Sequence, residues 1–205
     1  MTGEIVPPGS GAGEPSTSLL VNARNGDRRA WERLVSLTTP LVLHWCRRHV
    51  PGADAQDVGQ EVYCAVARAL GAFRRNRPGD SFRGWLRTIT LNKVRDYWKR
   101  RRAAGPVGEG GSDAQARLQQ VAAEESSDDG PADAEEKRLL YRRAVELLES
   151  AVDAKTWQAF CRVEIEGRAA AEVAAELGMS VNAVYLAKGR VRKRLRNEFA
   201  DLLDE

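Results

Sequence analysis

The chain has 205 residues, 42% of them hydrophobic and 30% charged, which is room for one medium domain or two small ones of helix-rich soluble type. No apolar run approaches the length of a bilayer span, and the N-terminus lacks a basic-then-apolar leader, so a cytoplasmic protein with no membrane partner is expected. Cys46, Cys64 and Cys161 are far apart and odd in number, a pattern of buried thiols in a reducing compartment rather than a disulfide framework. His44, Cys46 and His49 match no zinc spacing and lack a fourth ligand, so neither a metal nor another cofactor is expected.

The net charge of +3 conceals an uneven distribution. Residues 23–102 hold 18 lysines and arginines against 7 acids, residues 103–136 one arginine against 9 acids, and residues 137–205 13 against 11. Basic blocks of this kind suit a polyanion, and solvated helix faces are the plain alternative.

In chain order, residues 1–18 are Gly-, Pro-, Ser- and Thr-rich and read as a disordered tail. Trp31, Leu34, Thr38, Leu41 and Trp45 recur at helical spacing, with a kink expected at Pro40. Val58, Val62, Ala65, Val66, Ala69 and Phe73 mark a second helix after the Pro51-Gly52 turn, capped by Asp54 or Asp57. The stretch RRNRPGDS breaks the pattern as a loop. Phe82, Trp85, Leu86, Ile89 and Val94 then carry a third helix into the basic run Lys99 to Arg102. Residues 103–136 read as a flexible acidic linker with a short helix around 114–124. Leu140, Ala144, Leu147 and Leu148 mark the next helix, and Trp157, Phe160, Cys161 and Ile165 another. No stretch alternates like a strand, so the fold class is all-α: two small helical domains, 19–102 and 137–205, joined by the acidic linker.

The C-terminal stretch carries the clearest motif. Val173, Ala174 and Leu177 stripe a short helix, Gly178 permits a tight turn, and Ser180 suits the N-cap of the next helix. There Val184, Val191, Leu195 and Phe199 face one side while Arg190, Arg192, Lys193, Arg194 and Arg196 project elsewhere. This is the pattern of a helix-turn-helix, whose second helix enters the major groove. Asn182, Tyr185 and Leu186 then fall near base edges, Asn182 suited to adenine and Leu186 to a thymine methyl. An ordinary helical hairpin with a basic outer face is the competing reading.

Two segments together resemble the extracytoplasmic-function class of bacterial RNA polymerase sigma factors, in the sigma-70 superfamily. DAQDVGQEVYCAVARAL (54–70), followed by FRRNRPGDSFRGWLRTITLNKVRDYWKRRR (73–102), is similar to the family's second conserved region. EGRAAAEVAAELGMSVNAVYLAKGRVRKRLR (166–196) is similar to its fourth. The resemblance implies a promoter-specificity subunit with no catalytic chemistry of its own. Asp57, Gln60 and Glu61, which share one helix face, would dock on the β′ clamp of core RNA polymerase, with the β flap as a further contact. Arg74, Arg75, Arg77, Ser81, Arg83, Asn92, Arg95, Asp96, Tyr97, Trp98 and Lys99 would meet and help open the minus-ten element, where a basic surface and a pocket for an unstacked base are needed. Trp85 reads as packing, whereas Tyr97 and Trp98 are expected at the nucleic-acid surface. Ser180, Asn182, Tyr185, Leu186, Lys188, Arg190, Arg192 and Lys193 would meet the minus-thirty-five element.

The chain departs from the family pattern in Tyr185-Leu186-Ala187 after Val184, and in Gly59. A glycine inside a helix costs about 1 kcal/mol relative to alanine, so Gly59 implies a close approach or a weakened helix. Promoter DNA and core polymerase are the implied partners, an anti-sigma protein is common in the family though no residue demands it, and no small-molecule substrate is implied. A stand-alone helix-turn-helix regulator is the second reading, but it leaves Asp57, Gln60 and Glu61 without a role. An enzyme acting on nucleic acid is the third, without a phosphate loop or clustered carboxylates to support it.

Overall fold

A computed structural model describes residues 18–76, 80–104 and 131–203, and every structural statement below concerns these residues. They form helices and connecting turns with no strand. Residues 1–17 of the expected tail, Arg77 and nearly all of the acidic linker with its short helix lie outside them.

The first helix, α1 (Leu19–Arg24), is capped by Ser18, whose Oγ accepts from the Val21 amide. Asp27 caps α2 (Arg28–His49) by accepting from the Arg29 and Ala30 amides at 2.8 and 3.1 Å. Pro40 lies inside α2, which runs through it for 22 residues in all. Proline has no N–H to give the carbonyl one turn back, which belongs to Ser36. That carbonyl accepts instead from Arg143 Nε at 3.0 Å, and Arg143 also donates to the Ser36 hydroxyl at 2.9 Å.

The second long helix, α3 (Gly52–Ala69), starts earlier than the sequence suggested, with Pro51 at the N-cap and no side-chain cap. Asp54 and Asp57 therefore do not cap it. Asp54 accepts from the Tyr97 hydroxyl and Arg101 instead. Gly59 is buried against α2, where an added Cβ would sit 3.3 Å from Leu43 Cδ2. Its role is the close approach of α2 and α3, not of an outside partner. Tyr63 then bonds Thr38 at 2.9 Å and accepts from Thr39 at 3.2 Å, which fixes the register of the pair.

A 3₁₀ turn at Leu70–Ala72 leads into the loop before α4 (Phe82–Ala104). Phe73, Phe82 and Trp85 close that loop onto the bundle, with ring centroids 5.0 to 5.7 Å apart. The chain resumes with α5 (Pro131–Glu149), so the last six residues of the span read as linker are helical. Asp153 caps α6 (Ala154–Phe160), whose end widens into a π-type turn at Cys161–Ile165. Last come α7 (Ala170–Leu177) and α8 (Val181–Leu203).

One continuous apolar core runs through both halves of the chain. Leu34, Leu37, Leu41 and Trp45 of α2, Val58, Val62 and Val66 of α3, and Phe82, Leu86 and Val94 of α4 join Leu140 and Leu148 of α5, then Val191, Leu195 and Phe199 of α8. The two helical groups read from the sequence as separate modules are thus packed together. A smaller cluster of Ala159, Ala170, Val173, Ala174, Val184 and Ala187 fixes α7 on α8. Cys46 is buried, and burial pushes its thiol pKa up to about 12, so it is inert packing. Cys64 is exposed, unlike the buried thiol expected.

Candidate polymerase and nucleic-acid interfaces

Along α3, Ala55, Val58, Gly59, Val62 and Val66 turn inward, which leaves Gln56, Asp57 and Gln60 on the outward face. Glu61 lies at its edge and is not solely a surface carboxylate. Arg100 of α4 grips it with two hydrogen bonds, at 2.8 and 3.1 Å. Asp57, Gln60 and Glu61 therefore share a face as their spacing requires, but Glu61 also ties α3 to α4.

The residues expected at a minus-ten element divide into several groups. Asn92 and Lys99 are exposed on α4, and Arg95 and Asp96 are half-buried between them. Arg95 donates to Asn92 at 3.1 Å and Lys93 to Asp96 at 3.3 Å, both within α4. Ser81 is the N-cap of α4, its Oγ accepting from the Gly84 amide at 3.0 Å. Arg74 donates to the Gly71 and Phe73 carbonyls at 2.7 and 2.8 Å and so stiffens the loop.

Trp98 is not at the surface. It is 8% exposed and its Nε1 donates to the His49 carbonyl at 3.0 Å, which corrects the expectation from sequence. The apolar ring fills the space between α2 and α4, and its single donor finds a backbone acceptor there. Tyr97 is half-buried against it, its hydroxyl shared between Asp54 and Arg101. Burial and the Asp54 hydrogen bond raise the Tyr97 pKa, keeping the phenol protonated.

Arg75 and Arg83 have partners in the C-terminal half. Arg75 pairs with Asp201 of α8 and also donates to its carbonyl. Arg83 pairs with Asp133 and donates to Glu136 at 2.8 Å. Glu136 is only 2% exposed and accepts from Trp45 Nε1 at 2.7 Å as well. Burial disfavours the Arg83 charge, but the Asp133 and Glu136 carboxylates outweigh that and hold its pKa above the ordinary value. Asp133 and Glu136 were read as linker acids. The signal that marks Asp133 is its position in the first turn of a helix, where acids favour the dipole, and Glu136 follows one turn later.

The α7–turn–α8 unit is built as its sequence requires. Gly178 adopts the left-handed conformation at φ 58°, which closes α7 and turns the chain. Ser180 caps α8 by accepting from the Ala183 amide at 3.1 Å. Val184, Ala187, Val191, Leu195 and Phe199 face the core, so Asn182, Tyr185, Leu186, Arg190 and Lys193 face outward. Lys188 and Arg192 lie along one edge and pair with Glu164 of the π-type turn at 2.7 and 3.1 Å. Val181, 42% exposed beside Tyr185, was not singled out from the sequence.

With these surfaces in view, comparison with known proteins gives a consistent picture. Residues 34–104, from α2 through α4, match the Sigma-70 region 2 family. RNA polymerase sigma factor CnrH of Cupriavidus metallidurans is 31% identical over 178 residues, covering 86% of this chain and 90% of its own. ECF RNA polymerase sigma factor SigD of Mycobacterium tuberculosis is 32% identical over 204 residues, covering 97% and 90%. A solved structure of CnrH in complex with the cytosolic domain of CnrY is 29% identical over 91% of this chain and 95% of that one, with a TM-score of 0.35. The chain belongs to the extracytoplasmic-function sigma factors of the sigma-70 family. As a sigma factor it directs transcription initiation, with RNA polymerase and promoter DNA as its partners.

Proposed function

We propose that this sigma factor docks on the β′ clamp of core polymerase through the outward face of α3, with Asp57 and Gln60 at its centre. The 19–102 module then reads and helps melt the minus-ten element through α4 and the loop before it. The 137–205 module binds the β flap and lays α8 on the minus-thirty-five element, while the acidic stretch between them follows the RNA exit path. The chain works in the cytoplasm and has no catalytic chemistry of its own.

The observation that supports this reading is a division of labour on the helices. Both α3 and α8 commit one face to the core and leave another outward, which carries Asp57 and Gln60 on α3 and Arg190 and Lys193 on α8. Contact of Arg75 and Arg83 with DNA requires their carboxylate partners on α5 and α8 to give way to phosphates. That exchange conserves ion pairing and couples promoter engagement to separation of the two halves.

The test is co-elution of the purified chain with core polymerase, followed by run-off transcription from a two-element promoter. Asp57→Ala combined with Gln60→Ala is expected to lose co-elution while the C-terminal half still binds duplex DNA. A chain that neither binds core enzyme nor starts transcripts would refute the reading.

A further inference from the structure

The outward face of α8 is split. Its first turns carry Val181, Tyr185 and Leu186, which are 42%, 57% and 53% exposed, and its next turns carry Arg190 and Lys193. Val181 and Tyr185 are four residues apart, and Leu186 follows around the helix, so the three make one apolar patch beside Asn182. Among the described residues nothing covers them.

Gly189 sits between this patch and the cations. An added Cβ there would meet no atom within 4 Å, so nothing among the described residues requires glycine. A glycine in a helix interior is also unfavourable to the helix itself. A position that is open inside the molecule yet kept bare, between an apolar patch and a basic one, fits close approach by something outside it.

We propose that this face reads the 5-methyl groups of thymines: Val181, Tyr185 and Leu186 receive the methyls in the major groove, and Gly189 lets the duplex approach the helix. The proposal rests on the placement of α8 at DNA given above, and specifies the base feature it recognises. Charge complementarity selects DNA as the occupant, because the cations one turn beyond the patch are set for phosphates. In the major groove the thymine methyl is the one apolar group among the edges of the standard bases, and apolar side chains are its natural contact. A face without an outward arginine or lysine in its first two turns lacks the side chains that grip guanine bidentately, leaving Asn182, suited to adenine, as the polar reader.

The experiment uses the full chain in holoenzyme with its core polymerase. A duplex pool randomised upstream of a fixed start region is selected for binding, once with thymine and once with uracil throughout, which removes only the methyls. Thymine-bearing positions should be enriched in the first pool and lose enrichment in the second. In the selected duplex, a single thymine-to-uracil change at a contacted position should weaken binding about fourfold, the transfer value of one methyl-sized apolar group. Tyr185→Ala and Leu186→Ala should each abolish the thymine–uracil difference at their own positions. Gly189→Ala should raise thermal stability and weaken binding together.

Equal binding of thymine and uracil duplexes, with selection otherwise intact, would overturn the proposal while leaving α8 at DNA. Unchanged affinity for Gly189→Ala would remove the close approach. Failure to select any upstream sequence would instead strike at the placement of α8 itself.

Discussion

Arg143 of α5 donates to the Ser36 carbonyl of α2 at 3.0 Å, taking the acceptor that Pro40 leaves without its helical donor. A defect in one helix thus becomes a docking point for another from the far half of the chain. Pro40→Ala restores the missing N–H and makes the Arg143 bond redundant. A double-mutant cycle should therefore show coupling. Arg143→Ala should cost about 1–2 kcal/mol with Pro40 present, and about 1 kcal/mol less with alanine at that position. Chemical denaturation of the four proteins measures it. Equal cost in both backgrounds would mean that the carbonyl is satisfied by other means.

Glu136 is a second joint, because one buried carboxylate accepts from both Trp45 and Arg83. Glu136→Gln keeps an oxygen for the indole but loses the ion pair, while Glu136→Ala loses both. The expected costs are about 1 and about 2–3 kcal/mol, the larger reflecting an indole N–H left unsatisfied in the core. Trp45 fluorescence should shift more in the alanine variant. Both changes also remove one of the two carboxylates that hold Arg83 and leave Asp133, so binding of minus-ten strand DNA by the holoenzyme should not fall. A fall in that binding without unfolding would show that Arg83 needs its carboxylates in order to work.

The same joint has an acid limit. The hydrogen bond from Lys137 at 2.9 Å, and then the charge of Arg83, hold the Asp133 carboxyl below its ordinary value. A depressed carboxylate pKa contributes stability that is complete above the unfolded-state value, about 4, and is lost as pH falls through the lower folded value. Contact between α5 and the start of α4 should therefore loosen below about pH 4. Asp133→Asn should remove that part of the acid dependence, read as the difference between two pH-denaturation profiles. Superimposed profiles would assign the acid loss to other carboxylates.

On α3, residues sharing one face should separate by function. Asp57 and Gln60 are exposed, so their alanine variants should fold within about 0.5 kcal/mol of the parent. Their loss should appear in affinity for core polymerase. Glu61→Ala also releases Arg100 from α3, a half-exposed pair whose stability contribution is at most about 1 kcal/mol. Arg100→Ala, which leaves Glu61 in place, separates the two roles. If that variant binds polymerase as weakly as Glu61→Ala, the pair acts by fixing α4 rather than by direct contact.

Much of this architecture was legible in the sequence because it is local. Helical periodicity marked the core positions of α2, α3, α4 and α8, and Gly178 with Ser180 marked the final turn and cap. What escaped was set by contacts between distant segments. The burial of Trp98 depends on a carbonyl acceptor at His49, 49 residues away in sequence, which no local pattern announces. The donor that the Ser36 carbonyl finds in Arg143, 107 residues away, is hidden in the same way. Asp133 and Glu136 looked like linker charge because composition averages over the boundary at which α5 begins. The role of Gly59 was open until α2 was seen against it.

The basic face of α8 offers a last test, because its cations are unequal. Arg190 and Lys193 face outward, whereas Lys188 and Arg192 both pair with Glu164. Each phosphate contact on duplex DNA releases counterions and steepens the salt dependence of binding by about 0.9 in the log–log slope. Arg190→Ala with Lys193→Ala should therefore flatten the slope by about 1.8 if both reach phosphates. Arg192→Ala should flatten it less, since its charge is already partly neutralised. Glu164→Gln should steepen the slope by releasing Lys188 and Arg192 toward DNA. Holoenzyme binding to one duplex across a salt series measures all four proteins. A Glu164→Gln slope identical to the parent would place Lys188 and Arg192 away from the backbone and confine the DNA contact to the outward strip of α8.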